Sequence, residues 1–252
     1  MTTTRQASWT ATQGGASMIA LGESAQIAVL GGGTALVDAA VARLARLDRL
    51  WDGRRSQSDL ARLRHRPGVV VPVAAETVLL VTLAARAPLE LAMVPGRVGE
   101  AIGEPAPDRR YAGWTNAVAD PRHCLAGVPD SAVDLASLAR GLAADLVVSA
   151  LLDGGATGAM VSVGDCVRVG GQSPDARGWE ISPRPGLPGG LLLHRGGAAW
   201  PASPGWGGGV DGLGSPVFAP QAWRAQALAA APAMASAGGR RHPAGTRAAA
   251  GS

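Results

Sequence analysis

Val133–Trp179 reads VDLASLARGLAADLVVSALLDGGATGAMVSVGDCVRVGGQSPDARGW. An acid, Asp134, precedes a helical run, Ala136–Leu152, whose first turns are rich in small residues. Gly154 and Gly155 follow as a turn, Ala159–Val169 reads as a β-branched strand, and Gly170-Gly171 close the stretch. Small residues at a helix start let a polyanion approach the backbone, and the free N–H groups there favour negative charge. The combination points to a ligand that carries phosphate.

Upstream, Ser17–Leu30 alternates well enough for one strand or a hairpin edge. After the glycines at 31–33, Thr34 is the expected N-cap of an amphipathic helix, in which Leu36, Val37, Ala40, Val41, Leu44, Leu47 and Leu50 recur at helical spacing. Ser56–Leu63 predicts a second, capped helical turn. Val69–Val73 predicts a short strand, and Glu76–Arg86 a buried helix that Pro88 ends. Leu89–Asp130 has a weak apolar period. Val133–Leu135 is read as a short edge strand, and Arg177–Pro183 as the start of another.

From Pro185 to Pro220 the chain is too rich in Gly and Pro for long regular elements, and Gln221–Ala235 is an Ala-rich helix interrupted by Pro232. The expected organisation is a flexible arm over 1–16, a single domain over 17–237 and a disordered tail over 238–252. Helices and strands mix without strict βαβ alternation, which predicts the α+β class.

The 252 residues suffice for one or two domains with a real core. The net charge is +4, with no Lys, and the one basic cluster is Arg54, Arg55, Arg62, Arg64 and Arg66. A solvated helix face explains such a cluster more simply than nucleic-acid binding does, so no nucleic-acid partner is expected. Cys124 and Cys166 define neither a disulfide framework nor a metal spacing. Cys166 reads as a small buried apolar residue, and the four histidines show no ligand spacing. The N-terminus lacks an apolar signal core, and no run reaches the ~18 apolar residues of a membrane span. A cytoplasmic location is the expectation.

Four pieces resemble the FAD:protein FMN transferases, the ApbE or flavin transferase family. Ala20-Leu21-Gly22 stands where that family starts its first strand, and Ser56–Gly68 (SQSDLARLRHRPG) is similar to its "SDLSRLN…G" segment. Asp134–Asp145 (DLASLARGLAAD) resembles "DLGGIAKGYAVD", and Val161–Gly171 (VSVGDCVRVGG) resembles "VNIGGDIRVGG". The last two, in order and correctly spaced, are the more specific.

The resemblance implies antiparallel sheets with flanking helices and a flavin-binding cleft. It implies FAD as substrate, Mg²⁺ as cofactor and a partner protein whose Ser or Thr accepts FMN as AMP is released. Cofactor-binding positions carry over to Leu21, Asp134, Arg140 and Gly164, and a metal-binding one to Ser137, through its backbone carbonyl. No catalytic residue is identified. Each position has a plainer reading beside this one: Asp134 as a helix cap, Arg140 as a solvated helix residue, Gly164 as a turn former, and Asp145 as an exposed or capping carboxylate.

The chain also departs from the pattern. Gly164-Asp165-Cys166 replaces Gly-Gly-Asp, and Pro95-Gly96-Arg97 stands where the family has Asp-Pro-Thr. Gln226–Ala230 (QALAA) is the best match to a late D-A-x-x-T that supplies metal ligands, and it offers no carboxylate. The resemblance is therefore divergent in the C-terminal third, and a degenerate, non-catalytic FAD-binding protein is the alternative reading.

Overall fold

A computed structural model describes residues 14–92, 117–128, 135–174, 177–181, 191–199 and 217–237. Alternation in Ser17–Leu30 resolves into two strands, β1 (Gly14–Ala20) and β2 (Glu23–Leu30), paired antiparallel about a turn at Leu21-Gly22. Strand β1 begins three residues inside the stretch expected to be a flexible arm. The next element, α1 (Gly33–Trp51), does not use Thr34 as its cap. Its N-cap is Gly32 at φ 84°, a left-handed step that a glycine makes without strain and a threonine would not. The helical spacing of its apolar residues is borne out by the burial of Val37, Ala40, Leu44 and Leu47.

Ser58 caps α2 (Asp59–His65), its hydroxyl accepting from the Ala61 N–H. Strand β3 is short (Val71–Pro72), and α3 (Ala75–Ala92) runs one turn past Pro88 instead of ending there. Proline costs one i→i−4 bond, and the remaining ladder carries the helix on. Strands β4 (Val118–Asp120) and β5 (Leu125–Gly127) join β3 in a three-stranded sheet of order β3-β5-β4.

Helix α4 (Leu135–Asp153) takes in Leu135, which was expected to end a strand; residues 133 and 134 lie outside the described set. The single strand expected over Ala159–Val169 is a hairpin, β6 (Gly158–Val163) and β7 (Cys166–Gly171), folded at Gly164-Asp165. Four short strands follow: β8 (Trp179–Ile181), β9 (Leu191–Leu193), β10 (Gly196–Ala199) and β11 (Val217–Ala219). Helix α5 (Ala222–Ala237) passes through Pro232 without interruption. The disordered tail expected from 238 lies outside the described residues.

The main sheet has the order β1-β2-β6-β7-β10-β11, with every neighbouring pair antiparallel. Side chains alternate across it, so each face packs its own core. Ala25, Ile27, Val29, Ala159, Val161 and Val163 meet the helices in the larger core. Ala28, Met160, Val167, Val169 and Ala198 face the other way, against Trp179, Ile181 and Leu193 of the β8–β9 pair. This is the α+β class, with antiparallel sheets and flanking helices. Trp51, buried at the end of α1, donates from Nε1 to Thr77 Oγ1 at 3.0 Å and so joins α1 to α3. A buried Trp needs such a partner for its N–H.

Candidate functional site

The site is built where two hairpin turns of the main sheet meet the first turns of α4. In the β1–β2 turn, Leu21 sits at φ 54° and Gly22 at φ 83°. A left-handed Leu costs roughly 1–2 kcal/mol. The Leu21 N–H donates to Asp48 Oδ1 at 2.7 Å, which offsets part of that, and Arg55 Nη2 donates to Asp48 Oδ2 at 2.8 Å. The Arg54 guanidinium carbon lies 3.2 Å from where a Cβ on Gly22 would stand. Arg54 donates from Nε to Asp52 Oδ1 at 2.9 Å and from Nη2 to Oδ2 at 3.0 Å, and this contact holds the Asp52 carboxyl below the usual carboxylate range.

In the β6–β7 turn Gly164 adopts φ 58°, its N–H donates to Ser24 O at 2.9 Å, and a Cβ there would lie 3.0 Å from Glu23 Cγ. The backbone conformation there favours glycine. Arg140 reaches this junction from α4. Its Nη1 donates to Glu23 Oε1 at 3.1 Å, and its Nη2 lies 3.6 Å from Asp165 Oδ1. The Arg140 Nε is buried and has no hydrogen-bond partner among the described residues. Burial pushes the Asp165 carboxyl above its ordinary range, and the Arg140 charge opposes that rise.

Beneath the turn, Cys166 is fully buried and its thiol lies 2.5 Å from Gln226 Oε1 on α5. Burial and the nearby Asp165 charge keep that thiol protonated, well above its ordinary range. Helix α5 is docked by Asp145 of α4, whose two carboxylate oxygens accept from the Ala222 and Trp223 N–H groups at 2.9 Å each. Arg168 Nε lies 3.2 Å from Asp145 Oδ1, and Arg168 also donates to the Pro220 carbonyl. Burial raises the Asp145 carboxyl to about 6 despite these partners.

Leu21, Arg140 and Gly164 are thus gathered at one end of the sheet. Arg140 is an ion-paired, mostly buried residue, which corrects its reading as a solvated helix position. Asp145 does cap, but it caps a helix 77 residues away and is not exposed. Ser137 lies on α4 before Arg140; its side chain, Asp134, and Pro95-Gly96-Arg97 fall outside the described residues. Glu23 and the Cys166–Gln226 pair were not foreseen. Three members of the basic cluster, Arg54, Arg55 and Arg62, are paired with Asp52, Asp48 and Asp59. An open groove of about 970 Å³ lies at the far end of β7, around Gly171, Arg195 and Phe218. It is separate from the Arg140 junction.

Residues 102–189 match the ApbE family. The ApbE protein of Thermotoga maritima superposes with a TM-score of 0.65 at 19% identity, covering 90% of this chain and 87% of that one. Over residues 102–189 the chain is similar to the ApbE family. The flavin transferase ApbE of Vibrio cholerae gives a TM-score of 0.63 at 17% identity over 88% of this chain and 86% of that one. The flavinyl transferase ApbE of Pseudomonas stutzeri, in its apo form, gives 0.63 at 17% identity over 88% and 85%. At these identities the structural likeness is one of fold. No curated protein matches the chain. Among the described residues no helix is long and apolar enough to cross a membrane.

The family resemblance implies Mg²⁺, a hard cation that collects about six oxygen ligands. The described residues do not fit it. Glu23 and Asp165 both face the Arg140 guanidinium, and the Gln226 amide oxygen is taken by the Cys166 thiol. No three acidic, His or Cys side chains among the described residues form a metal-holding group.

Proposed function

We propose that the chain is a flavin transferase that binds FAD at the Arg140 junction and moves FMN to a Ser or Thr of a partner protein, releasing AMP. The observation that carries this reading is Arg140 itself. A mostly buried guanidinium with an unpartnered Nε stands between two hairpin turns that carry glycine backbone at Gly22 and Gly164. Guanidinium groups match phosphate oxygens in pairs of hydrogen bonds. In this reading Leu21 packs on the ligand, Gly164 lets it approach the backbone, and Asp134 accepts hydrogen bonds from it.

The chemistry is a phosphoryl transfer. The acceptor hydroxyl attacks the FMN-side phosphorus and gives up its proton to solvent water, the bond from that phosphorus to the bridging oxygen breaks, and AMP departs with that oxygen. Arg140 stabilises the charge that builds on the phosphate oxygens. Both cysteines are free, which suits a cytoplasmic protein.

One feature favours a second reading, a flavin-binding protein without transferase activity. Gln226, buried against Cys166, supplies no carboxylate where the family pattern has one. Incubation with FAD and a Ser/Thr acceptor protein separates the two. AMP release with covalent flavin on the acceptor supports the transferase. Bound FAD without AMP supports the second reading, and no bound flavin defeats both.

A further inference from the structure

We propose that the Arg140 guanidinium serves this site in place of a divalent cation, and that it releases Glu23 and Asp165 in order to engage the diphosphate of the flavin dinucleotide directly. The inference rests on the flavin reading above. Three contacts carry it. Arg140 already occupies the position between two carboxylates, Glu23 at 3.1 Å and Asp165 at 3.6 Å, that a bridging cation would have to take. A metal entering there must displace a side chain that is only 19% exposed. The third candidate oxygen, on Gln226, is committed to the Cys166 thiol at 2.5 Å, and an uncharged amide would hold Mg²⁺ poorly.

The exchange is physically accessible. The Glu23 side chain is 46% exposed and can turn into water, so giving up that pair costs little. The unpartnered Nε of Arg140 already lacks an acceptor, and a phosphate oxygen would supply one. Burial also makes Asp165 surrender its charge more readily than a surface carboxylate, which eases the approach of an anion. On this account Glu23 and Asp165 compete with the ligand for Arg140, whereas carboxylates that held a metal would recruit the ligand.

The test is FAD titration of the full chain by flavin fluorescence, in EDTA and again in excess Mg²⁺, for the native chain and for Glu23→Gln, Asp165→Asn and Arg140→Gln. The expected result is one affinity in both buffers within about twofold, and binding about threefold tighter or more in Glu23→Gln and Asp165→Asn. Arg140→Gln should lose about tenfold or more in both buffers. Should Arg140→Gln fail to fold, the two carboxylate variants still decide the question. A gain of about tenfold or more with Mg²⁺, or weaker binding by Asp165→Asn in Mg²⁺, overturns the proposal and leaves the flavin reading standing. No binding by the native chain in either buffer overturns both.

Discussion

Replacing Gly141 by alanine should destabilise the protein, although alanine is normally the better helix residue. A Cβ on Gly141 would stand 2.7 Å from the Ala222 carbonyl oxygen and 2.7 Å from the Trp223 N and Cα. All three are backbone atoms, so none can rotate aside. Restoring an ordinary contact near 3.4 Å requires α4 and α5 to part by roughly 0.7 Å at their crossing. The N–H bonds from Ala222 and Trp223 to Asp145, both 2.9 Å, span this crossing and would lengthen with it. Overpacking of this kind costs about 1–3 kcal/mol, against a gain of about 0.5–1 kcal/mol in helix propensity. Weakening of the two cap bonds adds to the cost, so the net loss should be about 2 kcal/mol, or roughly 4–8 °C in Tm for a chain of this size. Urea denaturation followed by Trp fluorescence and by circular dichroism measures it. An increase in stability of about 0.5–1 kcal/mol, as for an exposed helix glycine, would refute the α4–α5 packing described above.

Other outcomes follow from the same contacts. Asp59→Ala should cost about 2–4 kcal/mol in denaturant unfolding, because Asp59 is buried and Oδ2 accepts from both the Ala74 N–H at 2.8 Å and the Thr77 hydroxyl at 2.6 Å; a loss under about 1 kcal/mol would mean that network is not formed. Asp145 has a folded-state value near 6 against 3.8 when unfolded, so the folded state binds its proton more tightly and its ionisation lowers stability as pH rises from about 4 to 6. The stability of the native chain relative to Asp145→Asn should therefore fall by about 3 kcal/mol across that window and stay level above it; a relative stability that rises with pH would contradict the burial of this carboxyl. In the native state a thiol reagent should modify Cys124 quickly and Cys166 only on unfolding, since Cys166 is buried and its thiolate disfavoured. Two equally fast thiols would place Cys166 at the surface.

Much of the framework was legible because its signals are local. The apolar spacing of α1 and the small-residue run of α4 each declare a helix within the segment itself. The turns were harder. Leu21 takes a left-handed conformation that side chains rarely adopt, so the β1–β2 hairpin read as one alternating stretch. Gly164-Asp165 lies inside a β-branched run, which hid the fold-back between β6 and β7.

The site was legible only in part, for the same reason. Arg140 and Gly164 stand in segments with a recognisable pattern. Their partners do not: Glu23 meets Arg140 across 117 residues of chain, and Gln226 meets Cys166 across 60. No periodicity or spacing rule encodes contacts of that range, which only the packing of α4 and α5 against the sheet creates. Asp145 shows the same limit. Capping was one of two readings of it, beside an exposed carboxylate, but the helix it caps is supplied by tertiary structure.

The most direct test of the central claim is a crystal structure of the chain with FAD. The account predicts diphosphate oxygens within hydrogen-bond distance of the Arg140 guanidinium, beside the Gly164 turn. Flavin bound instead in the groove near Arg195 and Phe218, with Arg140 still paired to Glu23 and Asp165, would contradict it.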